Sequence, residues 1–287
     1  LLNSHIDTVK AVNAWTIDPF SPIEKDGKLY GLGSNDARAS LVSLLHVFFI
    51  LTEKAQSYNL IFAASAEEEV SGTNGMESLL KELPKIDVAI VGEPTSMQMA
   101  VAEKGLMVLD CTTYGKAGHA ARDEGENAIY KALQEIEWFK KYRFSKVSET
   151  LGEVKMNVTM INAGTQHNVV PDTCTFVVDV RSNECYTNEE LLKEIKAKVQ
   201  CEVEARSTRL NSSSIDDKHP LVLRGKELGL TTFGSPTLSD QALMPFPSLK
   251  IGPGESARSH TADEFIYLNE IEEAMKIYIE LLDGLHL

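Results

Sequence analysis

The sequence has few cysteines, and none of them stands in a pattern that marks a ligand or a disulfide. Its four cysteines form no C-x-x-C pair and show no metal-ligand spacing: Cys111, Cys174, Cys185 and Cys201. Free thiols of this kind are usually small, partly buried apolar side chains. We therefore expect unpaired cysteines and a reducing, cytoplasmic setting.

Three further absences exclude familiar protein classes. No apolar run is long enough to cross a bilayer. Neither a P-loop nor a GxGxxG after a strand is present, which argues against a nucleotide-binding protein. Cations are scarce, because 28 Lys and Arg stand against 42 Asp and Glu and give a net charge of -14. That balance argues against nucleic acid and anionic membranes as partners.

The length and the apolar pattern predict an α/β protein. The 287 residues suffice for one large or two medium domains, and a hydrophobic content of 43% is ordinary for a globular core. Short apolar runs at 1–4, 59–64 and 88–91 predict strands, and segments 39–55 and 75–83 predict helices. Alternating strands and helices are typical of a mostly parallel sheet flanked by helices. The chain begins as if within a strand, so we expect a further N-terminal segment ahead of Leu1.

The pattern changes in the middle of the chain and then changes back. Half-exposed strands and amphipathic helices follow one another in the order β-α-β-β-α-β, at 106–114, 127–142, 154–161, 173–180, 187–199 and 203–210. That order and that alternation predict a ferredoxin-like α+β domain with one solvated sheet face. We therefore predict a catalytic domain of residues 1–104 plus 213–287, interrupted by a smaller lid or dimerisation domain of residues 105–212.

Hard, ionisable side chains follow several of the predicted strands. They are His5, Asp7, Asp36, Glu67, Glu68, Glu69, Glu93 and His260. Ligands of open α/β sheets bind outside the carboxyl ends of the strands. Imidazoles and carboxylates together suit one or two divalent ions of the zinc class, so the leading hypothesis is a metal-dependent hydrolase.

Several of these residues also have a plainer interpretation. His5-x-Asp7 could be a surface loop, and Asp36 could cap the helix that follows it. The run Glu67-Glu68-Glu69 could be a solvated acidic loop. If it lies at a strand end, however, three like charges need a cation or a proton to compensate them. Asp7 would then orient either the His5 imidazole or the catalytic acid.

The middle domain contributes three candidates. His119 lies in a loop of small residues, and Asn168 precedes Val169-Val170-Pro171. Both side chains are donors suited to an oxyanion. Arg181 could fork onto a substrate carboxylate, or it could form a surface salt bridge. His46, inside the apolar helix, is expected to be a satisfied core histidine.

Taken together, these segments resemble the dinuclear zinc deacylase and aminopeptidase family, which includes acetylornithine deacetylase, succinyl-diaminopimelate desuccinylase, aminoacylase and glutamate carboxypeptidase. The resemblance covers essentially the whole chain. It is carried by Ser4-His5-Ile6-Asp7-Thr8-Val9, Tyr30-Gly31-Leu32-Gly33-Ser34-Asn35-Asp36, Glu67-Glu68-Glu69, Gly92-Glu93-Pro94-Thr95, Gly118-His119-Ala120-Ala121, Asn168-Val169-Val170-Pro171 and Ser259-His260-Thr261.

The resemblance implies two divalent ions, zinc or alternatively cobalt. Its pattern assigns His5, Asp36 and Glu93 to one ion and Asp36, Glu69 and His260 to the other. It also implies Glu68 as general base and acid. Asp7 is a further candidate catalytic residue, which would orient either Glu68 or His5. The acidic triple leaves two registers open, and the spacing from Glu69 to Gly75 favours the pair Glu68 and Glu69. After Asp36 the family's usual Met-Lys-Gly-Gly-like stretch is replaced by Ala37-Arg38-Ala39-Ser40.

The implied reaction is hydrolysis of an N-acyl amino acid. The sequence around Gly27–Gly33 and Gly92–Ser96 is most similar to acetylornithine deacetylase. That favours N2-acetylornithine, N-acetylcitrulline or an N-succinyl amino acid, in arginine biosynthesis. The family pattern also implies a homodimer through the middle domain, with His119 reaching the partner's site. Arg181 is the candidate for binding the substrate α-carboxylate, and Asn168 is a second candidate substrate-binding residue. The alternatives are a dipeptidase or aminopeptidase on the same scaffold, and a non-catalytic metal-binding scaffold.

Overall fold

The computed structural model describes all 287 residues and divides into two compact units. Unit 1 comprises Leu1–Glu103 and Ser213–Leu287, and unit 2 comprises Lys104–Ser212. The strands are β1 (Leu2–His5), β2 (Ile23–Lys25), β3 (Lys28–Tyr30), β4 (Phe62–Ser65), β5 (Ala89–Val91), β6 (Met99–Glu103), β7 (Met107–Tyr114), β8 (Gly118–His119), β9 (Lys155–Ala163), β10 (Val169–Val170), β11 (Thr173–Arg181), β12 (Glu202–Ala205), β13 (Ser213–Ser214), β14 (Thr232–Ser235), β15 (Ser248–Lys250) and β16 (Phe265–Tyr267). The helices are α1 (Ala39–Thr52), α2 (Met76–Leu79), α3 (Ala128–Lys141), α4 (Asn188–Lys196), α5 (Pro220–Glu227) and α6 (Leu268–Leu282).

Unit 1 is built on a seven-stranded mixed sheet in the order β13-β6-β15-β5-β1-β4, with β14 also paired to β6. The run β15-β5-β1-β4 is parallel, as predicted. By contrast, β6 is antiparallel to β13 and β15 and parallel to β14. The sheet is therefore mixed, with four of its six strand pairings parallel. In the parallel run His5 is the register partner of Ser65, so β1 and β4 end together. Side chains that follow β1, β4 and β5 therefore meet at one edge of the sheet.

Helix α1 buries only part of its surface. Leu44, Val47 and Leu51 belong to the main core of unit 1, which also contains Leu249 and Tyr278. Its opposite side is exposed, with Val42 and Phe49 49% and 59% accessible and His46 also exposed. The prediction of a core His46 is wrong, because only the stripe of α1 that faces the core is covered.

Two local features follow from the residue types: Lys25-Asp26-Gly27-Lys28 forms a turn, and Thr187-Asn188-Glu189-Glu190 begins a helix. Strands β2 and β3 form a hairpin whose turn residues Asp26 and Gly27 both have positive φ, 53° and 71°. That is the backbone of the twisted two-residue hairpin turns. Helix α4 begins with a capping box in which Thr187 and Glu190 bond each other's backbone N–H.

Unit 2 has a four-stranded antiparallel sheet in the order β12-β7-β11-β9. Along the chain its main elements are β7, α3, β9, β11, α4 and β12. The core of this unit includes Phe139, Phe176, Leu191 and Ile195. A separate two-stranded ribbon pairs β8 with β10 and places His119 opposite Val169.

Two remaining predictions concern the thiols and the membrane. All four cysteines are free, and Cys111 and Cys174 are buried, which confirms the expected unpaired thiols. No helix combines the length and apolarity that a bilayer crossing requires.

Candidate metal centre

His5 lies at the end of β1 between carboxylates on both sides of its ring. The side chain is 1% exposed, and Nε2 lies 3.3 Å from Asp36 Oδ1 and 3.7 Å from Glu93 Oε1. The other nitrogen, Nδ1, lies 3.1 Å from the Asp7 carbonyl oxygen and 3.5 Å from its carboxylate. When Nδ1 carries the proton that it donates to Asp7, Nε2 is left as an electron-pair donor towards Asp36 and Glu93.

A second imidazole meets the same Asp36 from the C-terminal part of the chain. His260 Nε2 lies 3.0 Å from Glu69 Oε2 and 3.7 Å from Asp36 Oδ2. The two oxygens of Asp36 thus face two different histidines. Three groups have their ligand atoms within 4.8 Å of one another and could hold an ion: His5-Asp36-Glu93, Asp36-Glu69-His260 and His5-Glu68-Glu69.

The electrostatics of this cluster call for additional positive charge. Burial raises the pKa of Glu93 well above its ordinary value and raises the pKa of Glu68 to about 8. For His5, burial lowers the pKa, but the hydrogen bond to Asp36 and the charge of Glu93 outweigh burial and raise it to about 11. Without a cation, the charges of these crowded, partly buried carboxylates can be compensated only by holding protons.

The donor set fits divalent metal ions. Glu69 Oε1 is buried and accepts no hydrogen bond, so it is an orphaned acceptor within the cluster. Imidazole nitrogens and carboxylate oxygens are the ligands that zinc-class ions take in proteins. Asp36, whose oxygens point to both histidines, is placed to be shared between two ions.

The three consecutive glutamates have separate surroundings. Glu67 adopts a positive φ of 59°, and its carboxylate accepts hydrogen bonds from the Asn74 backbone N–H at 3.0 Å and side-chain amide at 3.1 Å. A Cβ on Gly72 would lie 2.0 Å from Glu67 Oε2, so the loop needs glycine there. The Glu67 carboxylate is therefore engaged in hydrogen bonds within its own loop, whereas Glu68 and Glu69 belong to the ligand groups.

Asp7 contacts both His5 and the segment that carries Glu68, the two alternatives that the sequence offered. Its carboxylate faces His5 Nδ1 and also accepts the backbone N–H groups of Glu68 and Glu69, at 3.3 and 3.2 Å. Asp7 thus fixes the imidazole ring and the start of the acidic loop at the same time.

Sequence reasoning missed two buried carboxylates that surround the cluster. Glu264 is 2% exposed and accepts backbone N–H groups from the segment that carries Asp36. Asp240 is 4% exposed and accepts the Ser65 hydroxyl at 2.5 Å, and burial raises its pKa to about 6. The only sequence signal for Glu264 was an acidic residue four positions after His260.

The candidates of unit 2 lie on its surface. His119 is exposed and accepts the Ala121 N–H through Nδ1 at 3.1 Å, which leaves Nε2 pointing away from that turn. Asn168 is exposed beside it, and its carbonyl accepts the Ala120 N–H. Arg181 forms a bidentate pair with Asp179 at 2.8 and 3.0 Å, the salt bridge that was the alternative to substrate binding.

A sheet whose strand ends gather two imidazoles and several carboxylates around a shared aspartate defines a metal-dependent hydrolase. The model of peptidase family M20/M25/M40 matches residues 1–284. The chain belongs to this family, which includes dinuclear metal-binding peptidases. The match confirms the family resemblance predicted from the sequence.

The curated relatives include acetylornithine deacetylases. That of Proteus mirabilis is 28% identical over 99% of this chain and 79% of the relative. That of Yersinia pestis is 27% identical over 99% of this chain and 78% of the relative.

Solved structures share the fold. A tripeptidase from Staphylococcus aureus has a TM-score of 0.72 at 24% identity, over 98% of this chain and 79% of its own. An aminopeptidase from Bacillus cereus has a TM-score of 0.76 at 20% identity, over 99% and 79%. A dinuclear metal-binding peptidase from Bacillus subtilis has a TM-score of 0.70 at 17% identity, over 99% and 81%.

Proposed function

We propose that this protein removes the acyl group from an N-acyl amino acid, with N2-acetylornithine or a close relative such as N-acetylcitrulline as substrate, in arginine biosynthesis. The observation that carries the proposal is Asp36 shared between two ligand groups, with Glu68 beside them. The relatives named acetylornithine deacetylase, which match nearly the whole chain, support the choice of substrate class.

His5, Asp36 and Glu93 would hold one divalent ion, and Asp36, Glu69 and His260 would hold the other. Nitrogen and oxygen donors of this kind suit zinc, and cobalt is the alternative. When bound, the pair of ions supplies Lewis acidity and lowers the pKa of a water towards about 7.

Glu68 is the proposed general base and acid. It belongs to a ligand-sized group with His5 and Glu69, so its carboxylate lies beside the ions that the two ligand groups would hold, where a general base is needed. Glu68 takes a proton from the attacking water and delivers it to the departing amine. Asp7, bonded to the Glu68 N–H, holds the base in place.

Unit 2 supplies the proposed substrate contacts. His119 has a free Nε2 on an exposed turn, and we assign it to the oxyanion, offered by the partner of a homodimer. Asn168 lies on the same ribbon and is assigned to the substrate. Arg181 is assigned to the α-carboxylate, which would replace Asp179 as the partner of its guanidinium fork.

The exposed edge of unit 2 supports the dimer. Strand β9 is the outermost strand of its sheet, nine residues long, and is exposed along residues 159–163. A long, unpaired edge with apolar side chains offers main-chain hydrogen bonds to another strand. We propose that β9 takes part in contact with a second copy of this chain.

A peptidase on the same scaffold is the second candidate, because solved structures with this fold include a tripeptidase and an aminopeptidase. One substrate panel separates the two. Zinc-loaded protein is offered acetyl- and succinyl-ornithine, acetylcitrulline and unblocked di- and tripeptides, and kcat/KM is compared. We expect an acylated amino acid to give the highest value. A preference for free peptides would overturn the deacylase proposal, and no turnover with two zinc ions bound would favour a non-catalytic scaffold.

A further inference from the structure

We propose, on the basis of the dinuclear function above, that Glu264 is a positioning residue that sets the metal affinity of the centre by fixing the backbone at Asp36. Glu264 does not belong to any of the ligand groups. It would act only through the peptide segment that ends in the shared ligand.

The Glu264 carboxylate accepts three backbone N–H groups. Its Oε1 accepts the N–H groups of Asn35 and Asp36, both at 2.9 Å, and its Oε2 accepts the N–H of Gly33 at 2.9 Å. The residue is 2% exposed, so water does not compete for these bonds. Hydrogen bonds to an ionised acceptor are the stronger kind, and three of them converge on one short segment.

A second tie joins the same two loops on the other side of His260. The Asn35 side chain accepts the Glu255 N–H at 3.1 Å and donates to the Glu255 carbonyl at 3.0 Å and the Ser259 hydroxyl at 3.3 Å. The chain can approach so closely because residue 254 is glycine, where a Cβ would lie 2.2 Å from Asn35 Oδ1. The Asp36 segment is thus bonded to the His260 loop both before and after the histidine.

These hydrogen bonds fix the distance between His260 and Asp36, two proposed ligands of the same ion. His260 Nε2 and Asp36 Oδ2 lie 3.7 Å apart although 224 positions (260 minus 36) separate the two residues in sequence. Metal–ligand distances tolerate deviations of only about 0.2 Å, so the two loops must keep their relation when an ion binds. Loss of a group that orients ligands typically costs about 10–100-fold in metal affinity.

The substitution Glu264→Gln isolates this role. Glutamine keeps the size of the side chain but replaces one acceptor oxygen by an NH2 group, which faces an N–H donor of the Asp36 segment. At least one backbone donor then loses its partner, and the loop is free to move away from His260. The substitution Glu264→Asp keeps both oxygens on a shorter side chain. Its zinc affinity should therefore lie between those of the wild type and Glu264→Gln.

Glu255→Gln is the matched control. The Glu255 side chain is 54% exposed and pairs with Arg258 at 3.1 Å, while the backbone of residue 255 keeps its bonds to Asn35. The control therefore removes a glutamate charge from the same loop without touching the tie to Asp36.

The experiment titrates zinc into metal-free protein against a chromophoric chelator and records the thermal midpoint of each metal-free variant. We expect two zinc ions in the wild type, affinity about 10–100-fold weaker in Glu264→Gln, an intermediate value in Glu264→Asp and no change in Glu255→Gln.

If Glu264→Gln binds zinc as tightly as the wild type and only the thermal midpoint of the metal-free protein falls, Glu264 merely stabilises the fold. That result would overturn the inference. If circular dichroism shows that Glu264→Gln is unfolded, Glu264→Asp decides by the same criterion. If the wild type binds two zinc ions and the variants bind zinc with unchanged affinity, only the role of Glu264 is refuted. A wild type that binds no zinc would refute the proposed function itself.

Discussion

Glu67 turns its carboxylate back onto Asn74, accepting both the backbone N–H and the side-chain amide of that residue. This bond closes the loop that follows β4 and uses the first glutamate of the acidic triple as a structural element. The two glutamates that follow are then the ones presented to the histidines. The triple therefore contains its own control for the proposed chemistry.

Substitution at Glu68 should lower turnover, whereas substitution at Glu67 should lower only stability. Glu68→Gln removes the proposed base but keeps its shape, so we expect kcat to fall by about 10²–10⁴-fold while two metal ions remain bound. Glu67→Gln should leave kcat within a few-fold and lower stability by about 1 kcal/mol, because a loop hydrogen bond weakens. Steady-state kinetics, metal analysis and urea unfolding measure the three quantities. Near-normal turnover of Glu68→Gln would refute the assignment.

Metal removal should destabilise the protein as well as inactivate it. The partly buried carboxylates of Glu93 and Glu68 and the orphaned oxygen of Glu69 are compensated when ions bind. An ion at about 1,000 times its Kd stabilises the native state by about 4 kcal/mol. We expect a strong chelator to lower the melting temperature, and zinc to restore both stability and activity.

Asp36→Asn tests whether that stabilisation depends on the shared carboxylate. Asparagine keeps one oxygen donor but loses the charge between His5 and His260. We expect zinc to raise the melting temperature of this variant far less than that of the wild type. An equal zinc-induced shift would show that Asp36 is not a ligand.

Much of the site could be predicted from the sequence, because ligands at strand ends follow from local patterns. His5 comes directly after the run 1–4 and Glu93 one residue after the run 88–91, and parallel strands end at the same edge. Strand β6 was missed because all five of its residues are buried, so it shows no alternation. Helix α2 was predicted over 75–83 but spans only Met76–Leu79.

The carboxylates that surround the ligands could not be predicted in this way. Glu264 binds backbone N–H groups that lie up to 231 positions away in the sequence, and a backbone donor leaves no mark on the residue type. The same holds for Asp240, whose partner Ser65 is 175 positions away. Only the folded chain shows these contacts.

His219 predicts a pH effect on stability that is independent of the metal centre. Its Nδ1 accepts the Leu221 N–H and caps α5, and burial lowers its pKa. The folded state therefore binds fewer protons than the unfolded state as the pH falls through about 6.5, the ordinary value for histidine, and stability is lost in that direction. Asparagine is a strong cap without a titrating ring, so His219→Asn should lose less stability between pH 7 and 5. Parallel pH profiles of the two proteins would contradict this account.

The exposed edge of unit 2 predicts a change of assembly on substitution. Met160 and Ile161 of β9 are 56% and 50% exposed, and lysine on an edge strand discourages pairing with another chain. We expect light scattering to give twice the chain mass of 31.7 kDa for the wild type and the single-chain mass for a variant carrying Met160→Lys and Ile161→Lys. Val147→Lys, at a site 54% exposed outside β9, is the control and should remain a dimer.

Because His119 is assigned to the partner's site, the monomeric variant should bind zinc normally yet lose most of its turnover. A wild type that is monomeric and fully active would refute both the dimer and the role of His119.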